Sequence, residues 1–174
     1  MKKHRALSMW AALPLLLLCG CPIGYVIVPF DSSGVYSGTW EATLEGSSEV
    51  ISCVVTVALE QDVEAGFPED HLVRGTITLN MTCPGALREL GRLGFPAIVH
   101  LSLTGAQLPD GSLYFVSGAC EELTCQGVFV SARGQDADDD GRMDVIEGDW
   151  SFGALIGSNI ITLRGGLTAV ASAG

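Results

Sequence analysis

The chain has 174 residues, with nine Lys and Arg against twenty Asp and Glu and a formal net charge of −11. Beyond residue 20 the only cations are six scattered arginines. They exclude a basic patch for nucleic acid or an acidic lipid surface, and leave cations and basic proteins as electrostatic partners. Apolar residues make up 48% of the sequence, enough at this length for one domain with a substantial core.

The first segment is "MKKHRALSMWAALPLLLLCGC". Lys2, Lys3 and Arg5 precede an apolar run to Leu18, and small Gly20 precedes Cys21. That order predicts a secretory signal over 1–20. The run is short for a membrane span, which disfavours the alternative of an uncleaved anchor helix. Its ending, "LCGC", resembles the lipobox of bacterial lipoproteins, with Cys21 at the lipidated position. Cys19 does not fit, because bulky Leu18 precedes it. The resemblance implies a diacylglycerol on the Cys21 sulfur and a fatty acyl group such as palmitate on its amine. The membrane would then be a partner through the lipid anchor, each buried methylene contributing about 0.8 kcal/mol. In Gram-negative lipoproteins an aspartate after the cysteine implies inner-membrane retention, so Pro22 implies the outer membrane. "PIGYVIVPFDSSG" reads as a tether filling 21–33 after the lipidated cysteine, apolar enough for part of it to dock on the domain. The domain itself occupies 34–174. Without its signal the chain keeps 154 residues, and six arginines against twenty acids give a charge of about −14.

Period-two patterning then recurs to the end of the chain. "VYSGTWEATL" places Tyr36, Trp40, Ala42 and Leu44 on one face and Ser37, Thr39, Glu41 and Thr43 on the other. In "ISCVVTVAL", Ile51, Cys53, Val55, Val57 and Leu59 share a face. In "VRGTITLNMTC", Val73, Ile77, Leu79, Met81 and Cys83 do so, opposed by Arg74, Thr76, Thr78, Asn80 and Thr82. "PGALRELGRLG" alone has helical character, and its glycines limit it to two or three turns near 84–93. "AIVHLSLTG" buries Val99, Leu101 and Leu103. "SLYFVSGAC" and "CQGVFVSA" follow, "DWSFGAL" presents Trp150, Phe152 and Ala154 together, and "SNIITLRGGLTAV" is last.

Once Cys21 is set aside, Cys53, Cys83, Cys120 and Cys125 form an even set in an exported chain, which argues for disulfides. Of three pairings, strand alternation selects Cys53–Cys83, brought together by a hairpin about Pro68. It also selects Cys120–Cys125 across "EELT". The competing zinc site lacks paired CxxC spacing or nearby histidines.

About eight antiparallel strands in a meander, each with one apolar face, predict an all-β barrel or a flattened two-sheet sandwich with one short helix. "GTW" at Gly38 to Trp40 resembles the first strand of lipocalin-like barrels, a likeness of three residues that carries no ligand contacts with it. A transmembrane barrel is disfavoured, since it would need an apolar outside and a polar lumen.

"DADDDGRMDVIE", residues 136–147, lies between two strand patterns. Counting Asp136 as position one, Asp138, Asp140, Asp144 and Glu147 fall at three, five, nine and twelve. Gly141 is at six, Arg142 at seven and apolar Met143 at eight. The pattern resembles the EF-hand calcium loop, which implies oxygen ligands from Asp136, Asp138, Asp140, Asp144 and Glu147 and from the Arg142 carbonyl. The alternative is a solvated acidic loop. Strands flank it where an EF-hand has helices, so the reading is a structural brace rather than a calcium sensor.

No GxSxG, HExxH or phosphate-binding glycine loop is present, and His71 and His100 read as surface residues without a nucleophile beside them. An enzyme is therefore the least supported class. Two classes remain: a lipid-tethered module holding a small apolar ligand or contacting an envelope protein, and a structural envelope component with a filled core. Interior volume separates them. Gly75, Gly105, Gly118, Gly127, Gly153 and Gly165 within strand patterns could leave a cavity or permit the sheet to coil.

Overall fold

The computed structural model describes residues 28–61, 72–117, 124–156 and 158–172, with the side chains of 124–127 outside that description. Cys21, His71 and the Cys120–Cys125 pair thus lie outside the described residues. Eight strands run in order: β1 (Gly34–Leu44), β2 (Val50–Gln61), β3 (Leu72–Asn80), β4 (Ile98–Gln107), β5 (Ser112–Ser117), β6 (Thr124–Gln135), β7 (Val145–Ile156) and β8 (Asn159–Ala171). Each pairs antiparallel with the next. β8 returns to β1, setting Tyr36 opposite Ala171 and Leu44 opposite Leu163, so the sheet closes on itself as a barrel rather than splitting into a sandwich. Closure leaves no edge strand to template aggregation.

The alternating side chains fall as their polarity demands. Tyr36, Trp40 and Ala42 of β1 point inward, as do Cys53, Val55, Val57 and Leu59 of β2 and Val99, Leu101 and Leu103 of β4. In the β2–β3 hairpin Val55 faces Leu79 and Gln61 faces Val73, a register centred beside Pro68. Cys53 and Cys83 are joined by a disulfide with Cα atoms 5.5 Å apart. β3 itself ends at Asn80, and Cys83 is the N-cap of the helix α1 (Pro84–Glu89). The bridge therefore ties β2 to the helix start rather than to a cross-strand partner.

In an up-and-down meander alternate connections gather at opposite ends. One end carries the β3–β4 connection, where α1 and the 3-10 turn Gly91–Leu93 fold over the opening. Ala86, Leu90 and Phe95 are buried there, and the Phe95 ring meets Phe152 with centroids 6.1 Å apart. Arg88 pairs with Glu49 and so fastens the helix to the β1–β2 turn. The opposite end carries the β4–β5 turn, the β6–β7 loop and both chain ends of the barrel.

That second end is closed by residues 28–33. Phe30 is buried against Gly111 and Gly134, beside Met143. The Asp31 backbone forms a parallel bridge with the β6–β7 loop: its N–H donates to the Gly141 carbonyl (2.9 Å), and its carbonyl accepts from the Met143 N–H (2.9 Å). Ser32 donates through both N–H and hydroxyl to Gln61 Oε1 at 2.8 and 2.7 Å, and the Tyr36 hydroxyl donates to the Ser32 carbonyl at 3.0 Å. The last residues of the expected tether are thus part of the fold, a strap over the barrel mouth.

Among the described residues, side chains fill the interior. Trp40 and Trp150 meet edge to face with centroids 5.5 Å apart. The void they share with Ile77, Leu101, Val130 and Leu167 measures about 10 Å³, roughly one water's worth of space. Gly75, Gly105 and Gly165 open no cavity either. A Cβ at any of them would collide with the backbone of the neighbouring strand, at Ala58, Tyr114 and Glu41 respectively, so these glycines permit close strand approach where the sheet coils.

Candidate metal loop at the strapped end

The β6–β7 connection is the acidic stretch singled out by its spacing. Asp139 (φ 61°) and Gly141 (φ 84°) both take left-handed backbone, which turns the chain sharply enough to bring its two ends together. Carboxylates already serve as caps inside the loop. Asp136 accepts from the Asp140 N–H (3.2 Å) and the Gly141 N–H (2.8 Å), Asp140 from the Arg142 N–H (2.8 Å), and Asp144 from the Ala137 N–H (2.7 Å). Outside the loop, the Asp144 backbone donates to the Gln135 carbonyl and accepts from the Ala171 N–H, locking the loop's far end onto β6 and β8.

The result gathers three carboxylates. Asp136, Asp138 and Asp144 each present an oxygen within 4.8 Å of the others. Two oxygens bound to one calcium at about 2.4 Å lie no more than about 4.8 Å apart, so the trio fits a single hard cation. Each carboxylate retains lone pairs beyond those engaged by backbone N–H groups. The bridge to Asp31 uses Gly141 and Met143 and leaves the Arg142 carbonyl outside it. Met143 at position eight is buried under the strap, which explains an apolar side chain in so polar a run.

Two residues of the twelve-position pattern stand apart from the trio. Asp140 is exposed and turned to its own loop backbone. Glu147 is on β7, in register with Arg133 of β6 and Thr168 of β8, on the outer surface of the barrel. Sequence spacing did not reveal the contributions of Asp31 and Tyr36. Burial pushes the Tyr36 hydroxyl up to about 12, the negative charges of Asp31 and Asp144 add to that rise, and Arg142 opposes it. His100 is half-buried on β4, with Nδ1 3.1 Å from the Thr78 hydroxyl.

In comparisons with known proteins, no family model, no curated protein and no solved structure matches the chain. The functional reading therefore rests on the molecule's own geometry.

Proposed function

We propose that this protein is an exported, lipid-anchored envelope component without a catalytic role, whose barrel acts through its outer surface rather than through a ligand held inside. The carrying observation is the filled interior. A void of about 10 Å³ cannot admit a small apolar ligand, whereas ligand sites span roughly 300–1,000 Å³. Of the two classes open to the sequence, this favours a filled barrel over a carrier.

In this proposal Cys21 carries the lipid, and the barrel is braced at both ends. The Cys53–Cys83 disulfide fixes one end. One calcium on Asp136, Asp138 and Asp144 would fix the other by neutralising crowded carboxylates, with an affinity of order 10⁻⁴–10⁻³ M as in extracellular modules. Six residues lie between Cys21 and Val28, a span of at most about 25 Å from one to the other, so the strapped end would face the membrane.

The test has two parts. Intact-mass spectrometry of the purified protein should show the added mass of the covalent lipid, and organic extraction should release no stoichiometric second ligand. Fatty-acid labelling should disappear in Cys21→Ser. A stoichiometric apolar ligand bound to the folded barrel would overturn the filled-barrel reading, and undiminished labelling would overturn the anchor.

A further inference from the structure

The outer face running from β5 through β6, β7 and β8 to β1 brings an apolar group next to a groove and an acidic depression. Phe129 of β6 and Val116 of β5 are direct cross-strand neighbours, and Tyr114 lies two residues along from Val116. These three outward side chains are 47%, 57% and 42% exposed. Single exposed apolar residues are ordinary on a protein surface, but a contiguous group beside a groove marks an interaction site. The groove is next to them: a space of about 380 Å³ with Phe129 on one side, Arg164 on the other and Ser151 and Gly165 between.

Asp149 belongs both to this groove and to an adjoining depression of about 480 Å³ that also takes in Glu41 and Glu147. Small residues make the depression possible. Gly166 has no side chain where β8 passes beside Asp149, and the next row sets Thr168 between Thr39 and Glu147. Among the described residues none of the Glu41, Asp149, Glu147 and Arg164 side chains has a hydrogen-bond or ion-pair partner. Three acids without a hydrogen-bond or ion-pair partner among the described residues therefore sit beside an apolar groove. Arg164 stands at its far wall, and Arg133 lies across from Glu147 on β6.

We propose that this face docks an extended segment of a partner protein carrying a large apolar side chain and, two residues on, a lysine or arginine. Charge complementarity selects the occupant. A second copy would bring two strongly acidic faces together, on chains of net charge −11. A cationic segment instead meets Asp149, Glu41 and Glu147, while Arg164 keeps its positive charges away from the apolar end. The spacing agrees. Ser151, Asp149 and Glu147 alternate along β7 at intervals of about 6.6 Å, the same interval as alternate side chains of an extended peptide. The proposal rests on the barrel working through its surface, and it names the partner class for that surface.

The probe is a fluorescently labelled peptide, Phe-Ser-Lys-Ser-Lys, titrated into the full-length protein and followed by anisotropy. Controls are Phe-Ser-Glu-Ser-Glu and Ser-Ser-Lys-Ser-Lys. The lysine–phenylalanine peptide should bind and weaken as salt rises from about 0.05 to 0.5 M. Phe129→Ser and the pair Glu41→Gln with Asp149→Asn should each weaken it at least tenfold. All three positions face outward, so an unchanged melting temperature shows that the barrel survives the substitutions. Absence of binding, equal binding of either control, or affinity unchanged by both variants would overturn the proposal. So would a concentration-dependent dimer abolished by Phe129→Ser, which would make a second copy the occupant. An interior ligand would be untouched by Phe129→Ser, so failure of the filled-barrel reading and failure of this docking surface give different results.

Discussion

The two ends of the barrel are closed by different chemistry. At the helix end, a disulfide and the apolar side chains Ala86, Leu90 and Phe95 cover the opening. At the strap end, Phe30 is the single large apolar contribution from the strap, and the rest is backbone bridging, the Ser32–Gln61 bonds and a cluster of like charges. Covalent and apolar closure is nearly indifferent to pH, salt and cations. Closure by hydrogen bonds around crowded carboxylates is sensitive to all three. Apart from the exposed Arg88–Glu49 pair, the helix end is therefore held by contacts that ionic conditions barely touch, and the strap end responds to its surroundings.

The largest effect should come from opening the helix end. Replacing both Cys53 and Cys83 by alanine removes a link across a sequence separation of 30, which should cost about 3–4 kcal/mol in urea unfolding. Equal midpoints before and after would show that α1 covers the barrel without the bond. At the strap end, calcium at about 100 times its dissociation constant should add about 2.7 kcal/mol, seen as a higher melting temperature than in chelator. Asp138→Asn should abolish that gain, whereas Glu147→Gln should leave most of it. Loss of the gain in Glu147→Gln would mean that β7 releases Glu147 to close the full twelve-residue pattern.

A third experiment reads the strap end by pH. Tyr36 ionises at about 12 in the fold against 10 in an unfolded chain, so the folded state holds its proton more tightly. Its contribution is present in full below pH 10 and is lost as pH rises from 10 towards 12, roughly 2–3 kcal/mol at most. Tyrosinate absorbance reads this titration, with Tyr36 one of three tyrosines in the chain. A chain whose tyrosines all titrate near 10 while folded would contradict the burial of Tyr36. The smallest expected effect concerns Gln107, fully buried with both amide atoms unpaired among the described residues. Gln107→Met keeps the volume and removes the unsatisfied groups, so it should stabilise by about 1 kcal/mol in thermal unfolding.

Much of this architecture is legible in the sequence because a strand writes its two faces at alternate positions. The inward set from Tyr36 to Ala154 follows that alternation, Cys53 included, whereas Cys83 lies past the end of β3 and meets it from the helix start. The closure of β8 onto β1 is not legible, since no local signal pairs Tyr36 with Ala171 and a sandwich would carry the same alternation. Nor is the strap. Phe30 and Ser32 find partners at Gly111, Gly134, Met143 and Gln61, four separate points in the chain that only the closed barrel brings together. Spacing placed Asp136, Asp138 and Asp144 on one loop. It could not foresee that β7 begins at Val145 and carries Glu147 out onto the barrel wall. Interior volume was equally hidden, because a glycine in a strand pattern reads the same whether it makes room or lets backbones touch.

The parallel bridge at Asp31 also sets how the molecule would bear a pull. Tension applied through the chain ahead of Phe30 reaches the two Asp31 backbone bonds and the Ser32–Gln61 pair before it reaches the β1–β8 seam. Those few bonds open one after another, whereas the seam resists along its whole length. Peeling residues 28–33 from the mouth would release up to about 20 Å of slack while the barrel stays intact. In a stretched molecule this predicts a small, low-force extension step ahead of unfolding, so the strap would serve as a mechanical buffer between a tether and the domain.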